Sequence, residues 1–147
     1  MGNRFIIISV LISCILTSAP VDLNKAQRVA GNIYAERSNI GTMDGFNLRS
    51  VDIFDDNAVN LIYVFQLESE GFILVAGDDR VQPLLAYSFE SSFVMEGMPS
   101  TVSWMIDAYK GMISNMIESD ESATEEVNAK WEKYYTDRKS TRLNSSH

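Results

Sequence analysis

The sequence predicts an α+β fold, in which a small antiparallel β-sheet has helices packed on one face. Two helical patterns flank a central stretch that is rich in β-forming residues. Strands that are grouped together, joined by short links and separate from the helices are typical of α+β domains. With 147 residues, of which 46% are hydrophobic and 22% charged, the chain has the size and composition of one globular domain.

The first helix is predicted over residues 21–37. Asp22 or Asn24 is expected to cap its first turn, because a short polar side chain can accept a backbone hydrogen bond there. The apolar residues of the helix recur at steps of three and four and therefore share one face: Ala26, Val29, Ala30, Ile33 and Tyr34. After the helix, residues 39–45, which contain Gly, Asn and Thr, predict a loop.

Four strands are predicted after that loop. Residues 46–54 alternate imperfectly between apolar and polar, which indicates an edge strand with one face in water. Residues 61–67 and 72–76 are nearly continuous β-formers joined through a short link that contains Gly71, a pattern that favours a central hairpin. Residues 84–87 provide the fourth strand.

Two further helices are predicted beyond Pro99. Ser100 or Thr101 is the expected cap of the first, with Pro99 in or near its first turn. An acidic connector over residues 118–126 leads to a weaker helix over residues 127–135. The apolar residues of the longer helix form a broad stripe at helical spacing: Val102, Met105, Ile106, Tyr109, Met112, Ile113, Met116 and Ile117.

The charge and the counts of Cys and His exclude several classes of function. Lys and Arg number 12 against 20 Asp and Glu, a net charge of −8, whereas a nucleic-acid-binding protein needs a basic face. One Cys cannot form an internal disulfide, and one Cys with one His cannot build a structural zinc site. No cofactor, metal site or nucleic-acid partner is therefore predicted.

Both ends of the chain are predicted to lie outside the domain. Residues 1–19 combine a basic start, an apolar run and a small-residue exit, which predicts a signal peptide and a secreted or periplasmic protein. A lipobox-like sequence that ends at Cys14 leaves the alternative of a lipoprotein, and a membrane contact is expected only in that case. Residues 137–147 resemble the translation of a sequencing-library adapter and are expected not to be native.

The body between these ends, residues 20–136, is not expected to be an enzyme. The one Cys lies in the predicted signal peptide and the one His lies in the adapter-like tail. The body therefore cannot assemble a Cys–His pair or a Ser–His–Asp triad. It keeps 8 of the 12 basic residues and 19 of the 20 acidic ones, so it is more acidic than the whole chain.

Two acidic groups and one loop are candidate sites. The pair Asp78 and Asp79 and the acidic residues within 52–57 each suggest a cation or acid–base site. A turn is favoured for both, because neither has further ligands at the spacing that a cation needs. Residues 95–99 (MEGMP) place apolar side chains on a loop, and an exposed apolar loop is suited to contact a partner. The methionines of the helical stripe are expected to pack in the core.

The most distinctive stretch is EGFILVAGDDR at residues 70–80, preceded by YVF at 63–65 and followed by PLLAYS at 83–88. The alanine-spaced helix upstream and Met98-Pro99 leading to Trp104 and Tyr109 downstream complete the pattern. Together these features resemble the Spi family, which comprises the propeptides of streptopain-type cysteine proteases and related stand-alone inhibitors. The signature residues, which the resemblance implies to be structural, are Gly71, Phe72, Gly77, Asp78, Asp79 and Arg80.

The resemblance implies an inhibitory prosegment that blocks the active-site cleft of a streptopain-type (papain-like) cysteine protease, whose catalytic domain this chain lacks. The partner is then a papain-like protease domain, in cis or in trans. Two alternatives stay open: a stand-alone secreted inhibitor, or a non-inhibitory secreted binding module. Ser100 or Thr101 is the candidate plugging residue, and the loop that the family places in the cleft corresponds here to Met95, Met98, Pro99, Ser100 and Thr101.

Overall fold

The computed structural model of the protein describes residues 20–119 and 121–136. The predicted signal peptide with Cys14 and the adapter-like tail lie outside the described residues. Among the helices of the described segments, none has the length and apolar content that a bilayer crossing needs. The elements follow in the order α1 (Leu23–Arg37), β1 (Leu48–Asp56), β2 (Val59–Leu67), β3 (Phe72–Ala76), β4 (Leu84–Ser88), α2 (Ser100–Glu118) and α3 (Glu125–Tyr135).

The strands form a four-stranded antiparallel sheet in the order β1-β2-β3-β4. β2 and β3 are central, and Phe65 of β2 lies opposite Val51 of β1 on one side and Ile73 of β3 on the other. The α+β class, the small antiparallel sheet and the central hairpin are therefore confirmed. β1 runs on to Asp56, beyond the predicted end of the first strand.

α1 covers one face of this sheet. Its N-cap is Asp22, whose carboxylate accepts a 2.8 Å hydrogen bond from the Lys25 backbone N–H. The hydroxyl of Tyr63 in β2 donates a 2.6 Å hydrogen bond to the Val21 carbonyl just before the helix. The apolar face predicted for α1 packs towards the sheet, with all five of its members buried.

The other face of the sheet is covered in part by Phe93, from the loop between β4 and α2. Residues 61–67 of β2 are all buried although their side chains alternate between the two faces, so both faces need cover. The Phe93 ring lies edge-on against Phe54 and Phe72, at centroid distances of 6.2 and 5.1 Å. α2 also packs on β2.

α3 packs on α1 and is anchored by Trp131, although its helical pattern is weak. Trp131 is 4% exposed, and its Nε1 donates a 2.7 Å hydrogen bond to the Val81 carbonyl beyond β3. Asn32 of α1 donates from Nδ2 to the Tyr134 carbonyl, also at 2.7 Å. These contacts make residues 125–135 part of the same core as the sheet.

The ends of α1 and α3 are also joined by Glu36. Its carboxylate lies 2.8 Å from the Lys133 ammonium and accepts a 3.1 Å hydrogen bond from the Tyr134 hydroxyl. Burial raises the pKa of the Glu36 carboxyl, but the hydrogen bonds and charge of these two partners outweigh burial and lower that pKa from its ordinary value. Glu36 therefore stays ionised, and keeps its bond to α3, below the pH at which a free glutamate titrates.

Candidate functional site

The turn after β3 is built around a buried ion pair between Asp78 and Arg80. Asp78 is 3% exposed, and its two carboxylate oxygens accept from Nε and Nη2 of Arg80, each at 2.9 Å. The Arg80 backbone N–H donates to the same carboxylate at 2.9 Å. A bidentate pair of this kind engages both carboxylate oxygens. Asp78 is therefore part of the internal structure of the turn and is not displayed for acid–base chemistry.

The same turn ties the beginning of α1 to the end of α2. The Lys25 ammonium of α1 lies 3.2 Å from the carboxylate of Asp79. Arg80 donates from Nη1 to the Ser119 carbonyl at 3.2 Å, at the residue where α2 ends. The signature residues thus connect the first turn of α1 with the residue that follows α2.

Two glycines of the signature allow close approach of neighbouring backbone. The Gly77 carbonyl accepts a 2.9 Å hydrogen bond from the Val21 N–H, and a Cβ at Gly77 would collide with the Asn60 carbonyl oxygen. Gly71 has φ 135°, and a Cβ there would lie 2.7 Å from the Ser88 carbonyl oxygen. Both positions therefore require glycine, because a side chain at either one would collide with the backbone of a neighbouring strand.

The acidic end of β1 forms a tight hairpin turn. Asn57 and Ala58 have φ of 49° and 66°, which is the geometry of a two-residue type I′ turn. Asn57 donates from Nδ2 to the Asp56 carboxylate at 3.1 Å. Across residues 20–119 and 121–136, no group of three or more His, Cys, Asp or Glu side chains is placed to hold a metal ion.

The loop between β4 and α2 is held on the sheet by Gln66. The Gln66 amide donates from Nε2 to the Phe93 carbonyl at 2.7 Å and accepts from the Phe93 N–H at 3.1 Å. Just after this anchor, Val94 is 55% exposed. Met95 and Met98, which were expected to project from the loop, are half-buried because their side chains pack against the core. The two methionines therefore support the loop, whose exposed residues lie before, between and after them.

Trp104 is the most exposed large hydrophobic side chain in the described part of the chain, at 73%. With Ser100, Thr101 and Met105 it lines an open depression of about 470 Å³ at the start of α2. Sequence reasoning did not select Trp104 as a site residue. Its exposure could have been predicted from the helical spacing. Residues 102, 105, 106 and 109 share one apolar face of the helix, and Trp104 lies off that face.

The outward face of α2 has little charge for a protein of this acidity. Met112, expected in the core stripe, is 43% exposed and lies two turns beyond Trp104. Between them Ala108 and Gly111 are exposed, and Asp107 is the one ionisable residue among the exposed positions from 101 to 112. This strip is continuous with the loop and is suited to contact an apolar surface.

α2 begins differently from the prediction that Ser100 or Thr101 caps it. Pro99 is the N-cap, and no side chain caps the first turn. The Pro99 carbonyl instead accepts from the N–H groups of Val102 and Ser103, each at 2.9 Å, so Ser100 and Thr101 lie inside the first turn. The prediction of the cap is wrong because Ser100 already has helical backbone, which leaves both hydroxyls exposed at the tip of the helix.

Comparison with known families assigns this domain to a class of proteins. Residues 18–113 match the family of Spi protease inhibitors, and the chain therefore belongs to that family. The match includes the sheet, the loop after β4 and most of α2 with Trp104, whereas α3 lies beyond it. The family is one of inhibitors, which supports a non-catalytic, propeptide-like role.

Among individual proteins, the chain is similar to the thiol protease/hemagglutinin PrtT of Porphyromonas gingivalis. The two are 29% identical over 115 residues, which cover 75% of this chain. The matched segment is 13% of PrtT, so the chain spans a small part of that relative's length. No solved structure matches the chain.

Proposed function

We propose that residues 20–136 form an inhibitory domain that blocks the active-site cleft of a streptopain-type (papain-like) cysteine protease. The observation that carries this proposal is the apolar surface around Trp104, displayed beside a loop that is anchored on the sheet, in a chain of the Spi protease inhibitor family. A rigid scaffold with a protruding loop and an exposed aromatic anchor fits an inhibitor that fills a cleft. The thiol protease named for the relative indicates the chemistry of the partner.

In the proposed contact, apolar side chains bind the domain to the protease and a polar side chain obstructs the active-site cleft. Val94 and Trp104 offer apolar area on either side of the loop, and the half-buried Met98 between them supports the backbone. Ser100 or Thr101 is the proposed plugging residue, because their hydroxyls lie at the exposed tip of α2, where they can bond to the catalytic groups of the protease. A body without Cys or His leaves those catalytic groups to the partner domain.

The proposed domain boundaries place a signal peptide at residues 1–19 and an adapter-derived tail at residues 137–147. The chain is then a secreted or periplasmic fragment, or a lipoprotein if Cys14 is lipidated. A read of the parent locus past the codon for Thr136 separates the two inhibitory forms. A following open frame with the Cys and His of a protease domain identifies a prosegment that acts in cis, and a stop codon identifies a stand-alone inhibitor.

The inhibitory function is tested by titrating mature PrtT with the purified chain and following hydrolysis of a fluorogenic peptide. Protease activity is expected to fall saturably with the concentration of the chain and to recover on dilution, because the contact is non-covalent. A folded chain that forms a complex with PrtT in gel filtration but leaves the activity of PrtT unchanged contradicts inhibition. That outcome supports the alternative of a non-inhibitory binding module.

A further inference from the structure

The junction between Met98 and Pro99 lies where the exposed loop ends and α2 begins. Pro99 is exposed and has φ −53° and ψ 145°, whereas the backbone from Ser100 onward is helical. On the other side, Gly97 has φ 67°, in the left-handed region. The stretch of chain between Gly97 and the start of the helix at Ser100 is thus very short.

A loop that enters the cleft of a protease is in the position of a substrate. Proteases hold substrates as extended chains, and hydrolysis follows when a peptide carbonyl is aligned with the nucleophile. An inhibitor that presents an exposed loop therefore needs a feature that prevents its own cleavage. Such a feature has to protect the peptide bonds nearest the proposed plugging residue, Ser100 or Thr101. These bonds begin with the one that follows Met98.

We infer that Pro99 protects the loop from hydrolysis by the protease that it inhibits, an inference that rests on the proposed function. Cleavage would break the bond between the Met98 carbonyl carbon and the Pro99 nitrogen. A water molecule would add its hydroxyl to Met98 as a carboxylate group and a proton to the departing ring nitrogen. The proline nitrogen has no N–H to donate in the cleft, and its ring crowds the residue before it. Both effects oppose alignment of this bond with the catalytic thiolate.

The start of α2 adds to this protection. The Pro99 carbonyl accepts from two backbone N–H groups of the first turn, at 2.9 Å each. From Ser100 onward, the residues on the leaving side of the Met98–Pro99 bond are therefore helical and cannot extend along the cleft unless the first turn unwinds. The proline ring also fixes φ of Pro99 near its observed value of −53°. The packing of Met98 against the core restrains the other side of the bond.

The experiment compares the wild-type chain with Pro99→Ala and Pro99→Ser, each incubated with mature PrtT. Mass spectrometry measures cleavage within residues 94–101, and a peptide substrate measures the return of protease activity. Both variants are expected to inhibit at first and then to be cleaved about 10- to 100-fold faster than the wild type, the range that alignment of the reacting groups controls. Pro99→Ser keeps the helix start stable, because serine is itself a favourable N-cap. Glu90→Ala, at an exposed position earlier in the same loop and outside residues 94–104, keeps the proline and is expected to stay as resistant as the wild type.

Two results would overturn the inference. One is that Pro99→Ala and Pro99→Ser stay as intact as the wild type over the same incubation. The other is that both lose inhibition from the start while the wild type inhibits, because Pro99 then acts in binding and not in resistance to cleavage. If the wild type itself forms a complex with PrtT but fails to inhibit at the start, the proposed function is rejected and the inference falls with it.

Discussion

Asp78→Ala is expected to destabilise the domain by about 3–5 kcal/mol, the usual result of removing one partner of a buried ion pair. Arg80, whose side chain is 13% exposed, would lose its bidentate contact with the Asp78 carboxylate. Because Arg80 also donates to the Ser119 carbonyl, the tie to the end of α2 would weaken as well. Thermal unfolding followed by circular dichroism should show a midpoint lowered by more than about 10 °C.

Asp79→Ala is the matched control for this prediction. Asp79 is the next residue in the same turn, and its bridge to Lys25 is partly exposed, with side-chain exposures of 28% and 24% for Lys25 and Asp79. Partly exposed ion pairs contribute about 0–1 kcal/mol, so the midpoint should fall much less. Equal losses for Asp78→Ala and Asp79→Ala would contradict the central role given to the Asp78–Arg80 pair.

Trp104→Glu is expected to weaken inhibition of the protease by about 30- to 1000-fold, as substitutions of buried aromatic anchors in interfaces do. The side chain is 73% exposed in the free protein, so it contributes little to the core and its replacement should leave the unfolding midpoint nearly unchanged. In the proposed complex the same position is covered by an apolar surface, where a carboxylate would lose its hydration. The inhibition constant against mature PrtT measures the effect.

Ile40→Glu controls for adding a charge at an exposed apolar position. Ile40 is 55% exposed and lies in the loop after α1, outside the surface of residues 94–104. Its inhibition constant should match that of the wild type. Equal inhibition by Trp104→Glu and the wild type would remove α2 from the proposed contact. Trp104 is a cleaner probe than Met98, because Met98 also packs against the core and its substitution would disturb the loop itself.

Most of the fold follows from local patterns in the sequence. The run of β-formers in residues 61–67 and 72–76 was enough to predict the central hairpin, and the spacing of Ala26, Val29 and Ala30 predicted the buried face of α1. The position of Phe93 on the sheet was not predicted, because Phe93 lies in a loop with no periodic pattern. Continuous apolar character in β2 is compatible with a two-sided sheet, but it does not say which later segment covers each side.

The candidate site was predictable in position but not in detail. Met98-Pro99 located the loop before α2, whereas the half-buried methionines and the exposed Trp104 depend on how α2 is rotated on the sheet. The apolar stripe of α2 is broad, so the sequence does not determine which of its edges faces the sheet. For this reason Met112 was predicted to be in the core, although it is 43% exposed. The start of α2 was misplaced because proline and serine are both common at helix starts.

Protection of the active-site cysteine of the protease tests the central claim most directly. Mature PrtT is treated with iodoacetamide, with and without the purified chain, and the rate of alkylation of its catalytic thiol is followed by mass spectrometry. If the domain blocks the cleft, alkylation should slow in proportion to the bound fraction of PrtT and nearly stop when all the protease is bound. An unchanged alkylation rate, under conditions where gel filtration shows the complex, would contradict obstruction of the cleft and would place the contact elsewhere on the protease.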